Sequence, residues 1–383
     1  MGFVSSQRGG PLDGVKVLDL SAYIAGPYGC ALLADQGAEV IKVEAPAGDN
    51  LRNYPSTLDN ESRAFLGVNR GKFGLVLDLK IEQDKAVLLD LVRDADVLVH
   101  NFRPSVPGRL GIDYPTLREI NPRLIYCSLS GFGDTGPLKD KAGYDQVLQS
   151  MTGMCAMQAK TGGPPEILYG SVVDFYAAAM LSAAVSSALY EREKSGQGQS
   201  VGVSLLTAAL TMQSTRLVWA DNEPRNVSRD MRSGGVTGIH PAREGYIYIS
   251  ANTPHFWASL CDKTGIGYLA RDERFNTVKK RAEHKDEIVP VLRQALSART
   301  ALEWEALFGD EVPCSAVRAV EDMFDHPQVQ AQDLINSFES PKIGSYRAFQ
   351  KPFHFERTPC PASFPAPTLD QHGATIRDRL KRG

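Results

Sequence analysis

Little in this chain of 383 residues points to a metal, a membrane or a nucleic acid. The six cysteines, at 30, 127, 155, 261, 314 and 360, are scattered, and none forms a C-x-x-C pair. Such spacing suggests neither a zinc site nor a disulfide framework, and it fits reduced thiols in a cytosolic enzyme. Neither sign of charge dominates. The formal net charge is −3, so no global basic field attracts a polyanion. Long hydrophobic runs are missing as well. The least polar stretch, Phe175 to Tyr190, is short and rich in Ser and Ala, which argues against a membrane span. No signal-peptide pattern opens the chain, and a cytoplasmic location is expected. A dinucleotide fingerprint is absent too. It requires G-x-G-x-x-G, whereas Gly26 and Gly29 here are separated by Pro27 and Tyr28, and Pro27 removes an N–H donor from the turn.

What is present is an ordinary globular balance, with 43% hydrophobic and 23% charged residues and enough length for two domains. Val15 to Leu20 reads as a buried strand, Tyr28 to Gln36 as a helix and Glu39 to Glu44 as a second strand, a compact β-α-β unit. Further strands are expected at Leu75–Leu79, Val97–Val99 and Leu124–Leu129, with a helix from Asp84 to Ala95. This alternation predicts an α/β fold whose parallel sheet is wound by right-handed crossovers. Val201 to Met212 begins with strand character and becomes helical. A polar, Gly-bearing segment then changes the texture, and a smaller α+β domain is expected at 224–325. The larger, Rossmann-like domain would comprise 1–223 and 326–383. The Pro- and aromatic-rich tail from Pro352 reads as an extended strap.

Asp174 stands out. It opens a helix otherwise dominated by Ala177, Ala178, Ala179, Ala183, Ala184 and Ala188. A carboxylate there either caps the helix by accepting backbone N–H bonds or is used in chemistry. The segment alone leaves both open.

Several blocks, in order, resemble the class III CoA-transferase family (the formyl-CoA transferase, carnitine CoA-transferase and BaiF group). They are Pro11 to Leu20, Ala25-Gly26-Pro27, Leu33 to Glu44, Asn69-Arg70-Gly71-Lys72 and Ala95 to Pro104. Asn121 to Tyr126, Ser130-Gly131-Phe132-Gly133, Ala142 to Gln146, Lys194 to Gln199, Glu311 to Cys314 and Pro365-Ala366-Pro367 continue the match. The resemblance implies a Rossmann-like large domain, a small inserted domain and an interlocked homodimer. It implies CoA transfer from an acyl-CoA thioester to a small carboxylic acid, with no permanently bound cofactor and no metal.

By position Asp174 matches the family's catalytic aspartate, with Tyr144 and Asp145 as further catalytic positions. Tyr23, Ile24 and Ala25 fall where the first loop meets CoA and substrate. Lys72, Asn101, Phe102 and Arg109 match positions facing the CoA nucleotide and pantetheine. The chain departs from the pattern at Ile24, where formyl-CoA transferases carry Gln, at Phe73 and at Ala45, where relatives carry Arg; Arg70 or Arg103 are substitutes for those contacts. A Gly-rich active-site loop corresponds to Ser233-Gly234-Gly235. Arg216, Arg232 and His240 are candidates for a second carboxylate if the acid is a dicarboxylate. Two alternatives share the fold: an α-methylacyl-CoA racemase and a non-catalytic CoA-binding subunit. The racemase needs a His where this chain has Tyr144, since a proton must leave one face and return on the other. A non-catalytic subunit would have no need of Asp174.

Overall fold

The structure, a computed structural model, describes residues 9–159, 163–223, 235–350 and 352–382. The chain divides into two compact units: one runs through Val218 and resumes at Pro327, the other is Trp219–His326.

The larger unit is built on one parallel sheet. Its strands are β1 (Lys16–Asp19), β2 (Glu39–Glu44), β3 (Lys72–Val76), β4 (Val97–His100), β5 (Ile125–Ser130) and β6 (Ser200–Ser204), in the spatial order β3-β2-β1-β4-β5-β6. This is the doubly wound Rossmann order, whose direction reverses between β1 and β4 and opens a crevice at the carboxyl ends of those strands. Strand side chains alternate between the faces. Val17, Val40, Val97, Val99, Ile125 and Cys127 pack into one core with the helices Ala25–Asp35 and Val172–Ser195. Leu18, Ile41, Leu98 and Tyr126 pack into the other with Leu88, Leu91 and Val92 of the helix Glu82–Asp94.

β3 begins three residues earlier than the hydrophobic pattern suggests. Lys72 is fully buried and its ammonium is paired with Asp19 at the end of β1, so a charge that reads as loop belongs to the strand.

The helix Val172–Ser195 is long and apolar enough, by length and composition, to cross a membrane. Its position explains the apolarity otherwise: Val173, Ala177, Leu181, Val185 and Ala188 are buried in the sheet core. A Cβ on Gly29 would lie 2.9 Å from Leu181 and 3.2 Å from the carbonyl oxygen of Ala178. Glycine therefore sets how closely the Ala25–Asp35 helix approaches this one, and with it the placement of Asp174.

The tail does form a strap along the edge strand. Gly71 N–H donates to Phe364 O (2.8 Å), Gly74 N–H to His372 Nδ1 (3.0 Å), Val76 N–H to Asp370 Oδ1 (2.7 Å), and His372 N–H returns to Gly74 O (3.0 Å). An otherwise open row of β3 donors and acceptors is thus covered.

The smaller unit has an antiparallel sheet of β7 (Gly238–Pro241), β8 (Tyr246–Ile249) and β9 (Cys314–Ala316). Ile247, Ile249, Trp257, Leu260, Leu292, Trp304 and Phe308 form its core. His240 is buried in this unit with a ring nitrogen 3.1 Å from Val236 O, a structural setting. Ser233, Gly234 and Arg232 lie outside the described residues.

Candidate active site

The loop leaving β1 is clamped backbone atom by backbone atom. Lys42 Nζ donates to Ser21 O at 3.0 Å. Asn101, just past β4, holds Ala22 from both sides, with Ala22 N–H donating to its Oδ1 (3.0 Å) and its Nδ2 donating to Ala22 O (2.7 Å). Tyr23 N–H donates to Asp49 Oδ1 at 3.1 Å, and Tyr23 has a φ of 66°. A left-handed tyrosine costs on the order of 1–3 kcal/mol and persists only where its surroundings over-determine it. Here those surroundings are the clamp. Beneath it lies a dry ionic layer: Lys42 and Asp49 approach to 2.9 Å and Lys72 and Asp19 to 2.8 Å, all four fully or almost fully buried. Burial opposes ionisation of Asp19, but Lys72 and Lys42 together hold its carboxyl below the usual range.

A second loop approaches from β5. A Cβ on Gly131 would sit 2.8 Å from the Cα of Gly143, and one on Gly143 would sit 2.7 Å from the Cα of Gly131. Two facing glycines therefore let the segment carrying Tyr144 and Asp145 pack directly on the end of β5. Tyr144 meets Tyr23 edge to face, with ring centroids 5.8 Å apart. The Tyr23 hydroxyl beside it raises the Tyr144 phenol above its ordinary value, partly opposed by Arg103.

Asp145 turns the other way. It is 2% exposed, and its Oδ2 accepts from the backbone N–H groups of Val173 (2.6 Å) and Asp174 (3.0 Å). It therefore caps the Val172–Ser195 helix from a distance of 28 residues in sequence. Ser171, at the helix start, makes no side-chain cap bond. Asp174 stands in the first turn, and among the described residues its carboxylate has no hydrogen-bond or ion-pair partner. Burial first, and the Asp145 carboxylate second, push its pKa up to about 7. Partial desolvation, a like charge and a helix N-terminus thus converge on one carboxylate. The helix end favours the anion while the first two oppose it.

The expected residues divide into groups. Tyr23 and Ile24 are half-buried in the β1 loop, and Asn101 and Phe102 follow β4 at the same crevice. Ala25 is buried, with its side chain in the core. Arg109 is exposed in the short helix Ser105–Leu110, without a hydrogen-bond or ion-pair partner among the described residues. Three of the named residues are engaged inside the fold. Lys72 is 0% exposed, and its three donors go to Asp19, Asn69 Oδ1 (2.8 Å) and Pro27 O (2.7 Å). Arg70 likewise is buried and paired with Asp35. Asp145 also takes a part other than the one expected, since both oxygens are engaged inside the fold. The sequence reading missed Asp49, whose role rests on contacts with residues far from it in the chain.

A profile of CoA-transferase family III matches residues 12–373. The succinate–glutarate CoA-transferase of Agrobacterium fabrum is 34% identical, with 97% of this chain and 96% of that protein covered. The acetyl-CoA:oxalate CoA-transferase of Acetobacter aceti is 35% identical over 96% of this chain and 95% of its own. Among solved structures, a CaiB/BaiF family protein from Brucella suis superposes with a TM-score of 0.85 at 29% identity, covering 97% of this chain and all of that one. An aspartate-to-alanine variant of Rv3272 from Mycobacterium tuberculosis gives a TM-score of 0.84 at 31% identity, covering 97% of this chain and 99% of that one.

Proposed function

The chain belongs to CoA-transferase family III, and from that premise we propose that Asp174 is the nucleophile that carries CoA between two carboxylic acids. One observation supports this most: a partly buried carboxylate, with no partner among the described residues, sits on a helix whose cap is already supplied by Asp145. With the cap supplied by Asp145, a nucleophilic role for Asp174 is the reading this geometry favours.

Asp174 attacks the carbonyl carbon of the donor thioester. The C–S bond breaks, CoA leaves as thiolate, and a mixed anhydride joins Asp174 to the acyl group. The thiolate then attacks the Asp174 carbonyl, expels the donor acid as a carboxylate and leaves an aspartyl-CoA thioester. An incoming carboxylate attacks that thioester and reverses the two steps on a new acyl group. The Val172–Ser195 helix N-terminus supports the oxyanions. Tyr144, raised in pKa and half exposed, is suited to donate a hydrogen bond to the acyl oxygen. Arg109 is free to meet a phosphate of CoA.

The named relatives act on succinate, glutarate and oxalate, so dicarboxylates are the first acceptors to test. A second copy of the chain is the expected partner. Tyr169, Phe175 and Tyr176, which flank Asp174 in sequence, are 99%, 42% and 37% exposed, an apolar surface that a dimer would cover. The transfer reading is favoured over a racemase in that His100, one of the histidines that could serve as a second base, is buried, stacked on Phe102 and pushed by burial to a pKa of about 4.

Incubation with acyl-CoA and hydroxylamine should place a hydroxamate on the peptide containing Asp174, and Asp174→Ala should abolish transfer. Label on another residue, or full activity in Asp174→Ala, would relocate the chemistry.

A further inference from the structure

Behind Asp174 lies a side chain that no part of this reaction yet uses. Gln149, in the helix Asp145–Met151, is 0% exposed. Its Nε2 donates to Asp145 Oδ1 (2.5 Å) and to Leu168 O (3.3 Å), and its Oε1 accepts from Leu168 N–H (2.9 Å). The amide is therefore committed on three sides. One side grips the segment that leads into the Asp174 helix. The other fixes the single oxygen of Asp145 that the helix N–H groups do not occupy.

We propose that Gln149 is a positioning residue for the transfer reaction, acting through Asp145 to set the orientation of the group behind the nucleophile. The chain of contacts is continuous: Leu168 backbone, Gln149 amide, Asp145 carboxylate, then the N–H groups of Val173 and Asp174. Asp145 is 2% exposed, so its carboxylate is held by hydrogen-bond donors inside the fold. Two donors come from the helix and one from Gln149. Removing the third frees the carboxylate to rotate away from the helix end. Among the described residues, Asp145 is the titratable group whose charge acts on Asp174. Loss of Gln149 is thereby transmitted to the ionisation of Asp174 as well as to its placement. Gln146 and Ser150 on the same short helix do not duplicate this link; Ser150 Oγ donates to Gln146 O instead. The inference rests on the reading of Asp174 as nucleophile.

Gln149→Met keeps the side-chain volume and removes the amide. Its kcat should fall about tenfold or more, as for other small displacements of a reacting group. The ascending limb of kcat/KM against pH should move to lower pH by about half a unit or more, as the Asp145 carboxylate swings away from Asp174. Asp145→Asn should move the limb in the same direction, and the double variant should move it no further than Asp145→Asn alone. Should Gln149→Met fail to fold, Gln149→Glu decides the matter. A protonated glutamic acid can donate to Asp145 where the amide did, while a glutamate cannot. That variant should work only at lower pH and should gain a descending alkaline limb that the wild type lacks. A wild-type kcat and an unmoved pH limb in folded Gln149→Met, or a wild-type profile in Gln149→Glu, would overturn the proposal. Asp174→Ala, measured alongside, separates the two readings: activity there removes the nucleophile, whereas wild-type profiles confined to the Gln149 variants remove only the positioning role.

Discussion

Replacing Asp174 by Asn should make the protein more stable as well as inactive, and the gain should depend on pH in a calculable way. In the folded protein the carboxyl group is raised from 3.8 to about 7 by burial and by Asp145. A group with a raised folded pKa favours the fold while protonated and loses that contribution as pH rises. Below pH 3.8 both states hold the proton and the linkage vanishes. Between 3.8 and about 7 the unfolded chain ionises first, and native stability falls by about 1.36 kcal/mol per unit. Above 7 the full penalty, about 4 kcal/mol, is in place. Asn does not titrate. The stability difference between Asp174→Asn and wild type should therefore widen by about 2.5 kcal/mol between pH 5 and pH 8, less whatever water screens at a partly buried carboxylate. Urea titrations of both proteins at the two pH values measure it directly. A difference that is constant, or that narrows as pH rises, would refute the assignment of strain to this carboxylate.

The remaining expectations concern kinetics and packing. Because Asp174 must be ionised to attack, kcat/KM for acyl-CoA should climb with pH through about 7 and level off above it. Arg109→Ala should raise KM for acyl-CoA more than it lowers kcat, as expected of a phosphate contact remote from the acyl carbon; an unchanged KM removes Arg109 from the CoA site. Lys72→Met should instead cost about 3–5 kcal/mol of stability by stranding the Asp19 charge, and whatever folds should keep a normal KM. Gly143→Ala, which sets a Cβ 2.7 Å from the Gly131 Cα, should displace Tyr144 and Asp145 and depress kcat; a normal kcat would show that the loop has room to move.

Much of the fold was legible because it rests on local pattern. The strands β1, β2 and β4 read as short, largely apolar runs bounded by turn residues, and the helix carrying Asp174 as a long small-residue run. The chain also lengthens the smaller unit by a few residues at its start relative to the expected 224, with the division falling at Val218. What could not be read was partnership across the chain. Lys72 sits in an Asn-Arg-Gly-Lys run that reads as a loop, and only the fold brings Asp19, 53 residues away, to its ammonium. Asp145 follows the exposed Tyr144, yet its partners lie 28 and 29 residues on. Sequence spacing carried no signal for which way these side chains point.

The strap along β3 also bears on how the protein is made. The hydrogen bond from Gly74 N–H to His372 Nδ1 joins residues 298 apart, and the inserted smaller unit lies between them. A ribosome adding 5–20 residues per second takes roughly 15–60 s to cover that distance. In the part of that interval after β6 (Ser200–Ser204) has emerged, the β3 edge of an otherwise assembled sheet waits for its strap, offering unpaired backbone groups to any neighbouring nascent chain. The emergence of residues 364–372 is therefore when this polypeptide stops being a template for mispairing. A chaperone that shields the β3 edge would be needed most just before residue 364 emerges.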